Sequence, residues 1–92
     1  MDYENFCTTA HGYLEFRFQK IKIPIQQIVM LQADCNYTYI YLKNGEKFLF
    51  ARTIKFFEYM LKDYCFERIH KTYMINRNHV RHYDAKNQNL IL

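Results

Sequence analysis

The residues best equipped for chemistry lie between Phe66 and His82, where Arg68, Lys71, Arg77 and Arg81 and the histidines His70, His79 and His82 are interleaved with apolar side chains. No acidic residue falls between Arg68 and Tyr83. A one-signed cluster built into a folded element offers charge to a polyanion, which points toward nucleic acid rather than a small-molecule site. The His79-x-x-His82 spacing invites a metal reading, but on a strand i and i+3 face opposite sides, so no ligand pair and no metal are expected. Paired carboxylates, a Cys-His dyad or a phosphate-binding glycine loop would each need a local arrangement. Here these residue types are scattered and no Gly-rich turn exists, so we expect no catalytic residues, no cofactor and no small-molecule substrate.

The elements that must position this cluster read mostly as strands. Residues 13–18 and 20–25 alternate apolar and polar side chains, with Gly12 and Pro24 as boundaries. The apolar-rich run Ile28 to Ala33 suits a strand buried on both faces. Asp34-Cys35-Asn36 then predicts a turn, because Asp and Asn bond their own backbone. Asn44-Gly45 accepts the positive φ angles of a two-residue type I′ turn. Folding back from it pairs Lys43 with Glu46, Tyr41 with Phe48, Tyr39 with Phe50 and Tyr37 with Arg52, leaving both faces of the hairpin substantially apolar. Thr53 is a candidate N-cap for a short amphipathic helix over 54–62, with Glu58 and Lys62 paired at i, i+4. Short strands are expected at 66–69, 73–75, 79–83 and 89–92, the last two joined by a turn over 84–88.

Composition narrows the class. With 92 residues, half of them apolar and 18% aromatic, the chain has the material for one compact domain and does not read as disordered. The net charge of +4 suits an anionic partner without demanding one. Cys7, Cys35 and Cys65 are odd in number, widely spaced and free of any CxxC pair, which argues against a disulfide framework or zinc knuckle. With no signal-like leader and no apolar run of membrane length, a cytoplasmic protein without membrane association is expected.

Several of these elements, in this order, resemble the LytTR DNA-binding domain of LytR/AlgR-type bacterial response regulators. The resemblance runs from about Ile23 to Leu92. It rests on Ile23-Pro24-Ile25 with Ile28, Leu31-Gln32-Ala33-Asp34, Asn36-Tyr37, Lys43-Asn44-Gly45, Arg52-Thr53-Ile54-Lys55-Phe56-Phe57 and Phe66 to Asn76, the last resembling the family's F.R.H.SYLVN signature. Gln27 stands where the family usually has an acid. The resemblance implies a mainly β fold of stacked antiparallel sheets with one short helix. It also implies sequence-specific binding of double-stranded DNA by loops that enter successive major grooves, with two copies on a direct repeat, a homodimer on DNA. A phosphorylatable receiver domain in the parent protein of a two-component system would complete the transcription regulator.

Carried over by position, Asn36 or Tyr37 tips one base-reading loop, Lys71 reads a base from a second and Thr72 meets a phosphate. The residue chemistry agrees in part. Asn can contact adenine and Lys guanine, while Arg77, Arg81 and Arg68 suit phosphates, with binding that weakens as salt rises. Each role has a plainer rival: Asn36 as a turn former, Lys71 as a solvated lysine, His70 as a structural hydrogen-bonding residue. The Tyr37, Tyr39, Tyr41 stripe could stack on bases, but pairing with Phe48 and Phe50 would make it core instead. Residues 1–11 are expected as a tail or leader, and 12–92 as a domain lacking the family's last strand and loop. That expectation supports the second reading, a protein interaction or dimerisation module that uses exposed strand edges.

Overall fold

The computed structural model describes residues 7–79 together with the strand segments 82–84 and 89–91. Three strands, β1 (Cys7–Ala10), β2 (Tyr13–Phe16) and β3 (Ile21–Pro24), form an antiparallel meander. A single 3-10 turn over Ile25–Gln27 leads into β4 (Ile28–Asp34), which is followed by β5 (Tyr37–Leu42) and β6 (Lys47–Phe50). The helix α1 (Ile54–Met60) precedes β7 (Phe66–His70) and β8 (Tyr73–Asn76). These last five strands make one sheet in the order β6-β5-β4-β8-β7, all antiparallel. The strands β9 (His82–Asp84) and β10 (Asn89–Ile91) pair with each other. The expected stacked antiparallel β architecture with one short helix is therefore present.

The core fills the space between the two larger sheets and the helix. Leu14, Phe16 and Ile23 from the meander meet Leu31, Ile40, Phe50 and Met74 from the five-stranded sheet and Ile54, Phe57 and Leu61 from the helix, all at most 5% exposed. Phe16 stacks flat on Phe50 with ring centroids 3.9 Å apart. Burying each such side chain contributes about 1.5–3 kcal/mol relative to leaving it in water. Cys7 belongs to this core, and burial pushes its thiol pKa up to about 12, so it stays protonated and behaves as a small apolar residue.

Several expectations are corrected by the coordinates. The segment 1–11 is not wholly a tail, because its residues 7–10 form β1 and pair with β2. The strands expected over 13–18 and 20–25 stop short at Phe16 and start at Ile21, so 17–20 is a turn, with Lys20 at φ 55°. The hairpin register also differs by one residue. Leu42 N–H donates to the Glu46 carbonyl, leaving Lys43-Asn44-Gly45 as a three-residue loop with Gly45 at φ 93°. One added residue moves every side chain of β6 to the other face. Tyr41 thus opposes Lys47, Ile40 opposes Phe48, Tyr39 opposes Leu49 and Thr38 opposes Phe50.

Phe48 and Phe50 go inward as a result, while Leu49 is 50% exposed beside the tyrosine stripe. The side of β5 and β6 carrying Tyr37, Tyr39, Tyr41 and Leu49 is only partly covered. Glu58 does not pair with Lys62; it holds Arg68 at 2.9 Å, and the Lys62 ammonium sits over the Tyr59 ring instead. Thr53 occupies the N-cap position without a side-chain capping bond. His79 lies in a turn rather than in a strand, so the strand-based argument about His79 and His82 does not apply. The 84–88 turn falls largely outside the described residues.

Two bulges explain why an apolar run can serve both sides of β4. Its pairing with β5 shifts register between Ile28 and Met30, and β7 shifts against β8 between Arg68 and His70. Each bulge leaves one residue unpaired, Val29 on β4 and Ile69 on β7. Val29 and Ile75, with Met30 and Ile69 against them, form a second small cluster, while Ile28 and Leu31 stay in the main core.

Candidate nucleic-acid interface

The strand β4 is the common neighbour of β5 and β8, and this decides where the loops fall. Asp34 pairs with Tyr37 and Gln32 with Tyr73, so the turns after β4 and before β8 emerge at one end of the sheet. They are joined there by a backbone bond from Ala33 N–H to the Thr72 carbonyl at 2.7 Å. Asn36, Tyr37 and Lys71 are all exposed at this end. The two loops singled out in the sequence are thus brought side by side.

Their construction differs. The first is a two-residue turn, Cys35-Asn36, with Cys35 at φ 54°, a left-handed conformation that a non-glycine residue adopts at a cost of about 1–3 kcal/mol. The second is braced from beneath. Arg68 donates from Nε to the His70 carbonyl at 3.0 Å and from its terminal nitrogens to the Lys71 carbonyl and the Glu58 carboxylate. Nδ1 of His70 accepts from the Thr72 N–H at 3.2 Å and lies 2.8 Å from the Thr72 hydroxyl. His70 is therefore the hydrogen-bonding loop residue that its plainer reading required. Arg68, assigned to phosphates in the sequence, spends these donors on holding Lys71 in place.

The basic cluster is not one patch. Tyr73 to Asn76 runs away from the Lys71 end, and Arg77 emerges at the opposite edge, where its N–H donates to the Cys65 carbonyl and its guanidinium meets Glu67 at 2.7 Å. Four strand residues at about 3.3 Å each put more than 10 Å between Lys71 and Arg77. His79 is also at that far edge, its Nε2 against the Gln26 carbonyl. Arg81 lies outside the described residues.

Behind the loops, Gln32 ties the sheet face together, accepting from the Tyr41 hydroxyl at 2.8 Å and donating to the Tyr73 hydroxyl at 3.4 Å. Burial, with Tyr39 and Tyr73 adding, holds the Tyr41 hydroxyl above its ordinary pKa, so it remains a donor. Asn76, the last residue of the Phe66 to Asn76 motif, is 2% exposed. Its amide donates to the Ile28 carbonyl at 2.8 Å, beside the β4 bulge, and its side-chain oxygen accepts from Asn78 N–H. A polar residue closing an otherwise apolar strand was the available signal. Thr38, fully buried, similarly donates to the Arg52 carbonyl at 2.7 Å.

The sheet presents amide and ammonium side chains, groups able to hydrogen-bond nucleic acid, from two adjoining loops. Among the described residues no group of three or more His, Cys, Asp or Glu could hold a metal ion, and no helix is long and apolar enough to cross a membrane. The family model of the LytTr DNA-binding domain matches residues 19–92. The chain belongs to this family, and DNA binding in transcription regulation is its class of function. A solved structure, the LytTr DNA-binding domain of a methyl-accepting/DNA response regulator from Bacillus cereus, superposes with TM-score 0.62 at 21% identity. That match covers 92% of this chain and 81% of the other and shows the shared fold. Comparison with curated proteins yields no match.

Proposed function

We propose that this domain reads specific double-stranded DNA by laying the Cys35-Asn36 turn and the Lys71-Thr72 loop into the major groove. The observation that carries the reading is the Ala33 to Thr72 backbone bond, which joins the two loops into one exposed edge. In this reading Lys71 donates to guanine O6 and N7, Asn36 pairs with adenine and Tyr37 packs beside it, each good base contact being worth about 1–3 kcal/mol of discrimination. Thr72 meets the backbone. Arg81 also meets phosphate, and Arg77 does so only for DNA that passes the far edge, since it shares none of the loop end. Two copies on a direct repeat, within a two-component regulator in the cytoplasm that also carries a receiver domain, complete the proposal. The domain itself is not an enzyme.

Selection from a pool of random duplexes, followed by thiol labelling, tests this reading. Cys35 sits at the loop end and Cys65 at the opposite edge, and both are exposed. The selected duplex is expected to slow alkylation of Cys35 and to leave Cys65 unchanged. No enriched motif at low salt, or equal protection of both thiols, sinks it. The module using strand edges for protein contact is then the reading left.

A further inference from the structure

The turn between β2 and β3, Arg17-Phe18-Gln19-Lys20, carries no assigned role. All four residues are exposed, and Phe18, at 73%, is the most exposed large apolar side chain among the described residues. Its position follows from the chain path. β3 leads through residues 25–27 to Ile28, which pairs with Leu42 at the end of the sheet away from the reading loops. Gly12, at the other turn of the meander, accepts from Ile25 N–H near that same distant end. The opposite end of β2 is Phe16, stacked on Phe50, and Phe50 pairs with Thr38, one residue from Tyr37. The 17–20 turn therefore projects at the reading end, from the second sheet.

Chemistry at this turn suits the same polyanion. Arg17 and Lys20 flank a cleft of about 340 Å³ lined also by Thr8 and Lys22. Among the described residues Glu15 is the only acid on its wall, and it pairs with Lys22 at 3.4 Å. Neither Arg17 nor Lys20 has a carboxylate partner within ion-pair distance among the described residues, whereas Arg68 and Arg77 do. An exposed aromatic ring flanked by two cations can lie against a sugar edge while phosphates meet the charges.

We propose that the Arg17-Phe18-Gln19-Lys20 turn is a third DNA contact, gripping the sugar-phosphate backbone beside the bases read by the other two loops. This rests on the DNA-reading proposal above, and its signature is separate. Arg17 and Lys20 contribute affinity and footprint length without sequence information, while Lys71 contributes sequence information without footprint length.

The test compares wild type with the double variant Arg17→Gln, Lys20→Asn on the duplex selected by wild type. Asn tolerates the left-handed backbone at position 20, so the turn survives, and circular dichroism melting verifies the fold. Two lost phosphate contacts should reduce the slope of log affinity against log salt by roughly 2. Hydroxyl-radical protection should shorten on one flank, and the selected motif should stay the same. An unchanged slope and footprint overturn this proposal while leaving the two-loop reading intact. A change in self-association by sedimentation, with DNA binding unaltered, also overturns it by making the turn a protein contact. If wild type selects no duplex, both proposals fall together.

Discussion

The two adjoining loops of the proposed reading edge are built in opposite ways. Around Lys71, a guanidinium, an imidazole and a threonine hydroxyl bond to the loop, so the backbone that carries the lysine is held by bonds from Arg68 and His70. Around Asn36, the turn is only two residues long and its Cys35 is in a left-handed conformation. Among the described residues no side-chain hydrogen bond ties down Asp34, Cys35 or Asn36. A base reader gains discrimination from being held in position before DNA arrives, because less ordering cost is charged against its contacts. Lys71 therefore should carry more specificity per contact than Asn36.

The largest expected effect tests that contrast directly. Lys71→Ala should lose about 10- to 100-fold of preference at one base pair, the span of a good base contact, and Asn36→Ala should lose less. Repeated selection with each variant measures both, and a greater loss at Asn36 would reverse the ranking. Arg68→Ala should come next. It removes bonds from a charged donor to the loop carbonyls, costing about 1.5–3 kcal/mol by urea denaturation and weakening DNA binding although Lys71 remains. If stability falls and DNA affinity does not, the brace serves folding alone.

Asn76→Ala, at the far edge, is the matched control. It leaves the buried Ile28 carbonyl and the Asn78 N–H without their partner, for a loss of about 1–3 kcal/mol, yet it should leave base preference unchanged in the folded protein. Cys35→Gly acts in the other direction. Relief of the left-handed strain should raise stability by about 1 kcal/mol, or roughly 4–8 °C in Tm for a domain of this size, while loosening the turn further. The smallest effect belongs to Glu58→Gln. An exposed ion pair contributes about 0.2–1 kcal/mol, and added salt should erase the difference from wild type.

Much of the fold was legible because the signals were local. Asn44-Gly45 announced a hairpin, the spacing of Ile54, Phe57 and Leu61 announced a helix, and Asp34 to Asn36 announced a turn that the structure contains. Legibility failed where a single residue of register or direction mattered. A three-residue loop in place of a two-residue one turned Phe48 and Phe50 into the core and left the tyrosine stripe half covered, because side chains alternate with period two. The bulges beside Val29 and Ile69 leave no mark in composition, since Val and Ile suit either face of a strand.

By itself the sequence determined the elements, the polyanion-seeking charge and the motif that names the family, since these depend on residue type and near neighbours. Tertiary structure alone decided which charges work together. Arg68 and Arg77 are nine residues apart in a chain segment that reads as one basic run, yet one braces the Lys71 loop and the other faces Glu67 at the opposite edge. Arg17 and Lys20, about fifty residues before Lys71 in the chain, arrive at its end of the domain. The physical reason is that a strand carries its two ends in opposite directions, while sheet stacking brings distant turns together, and neither is written in the order of the residues.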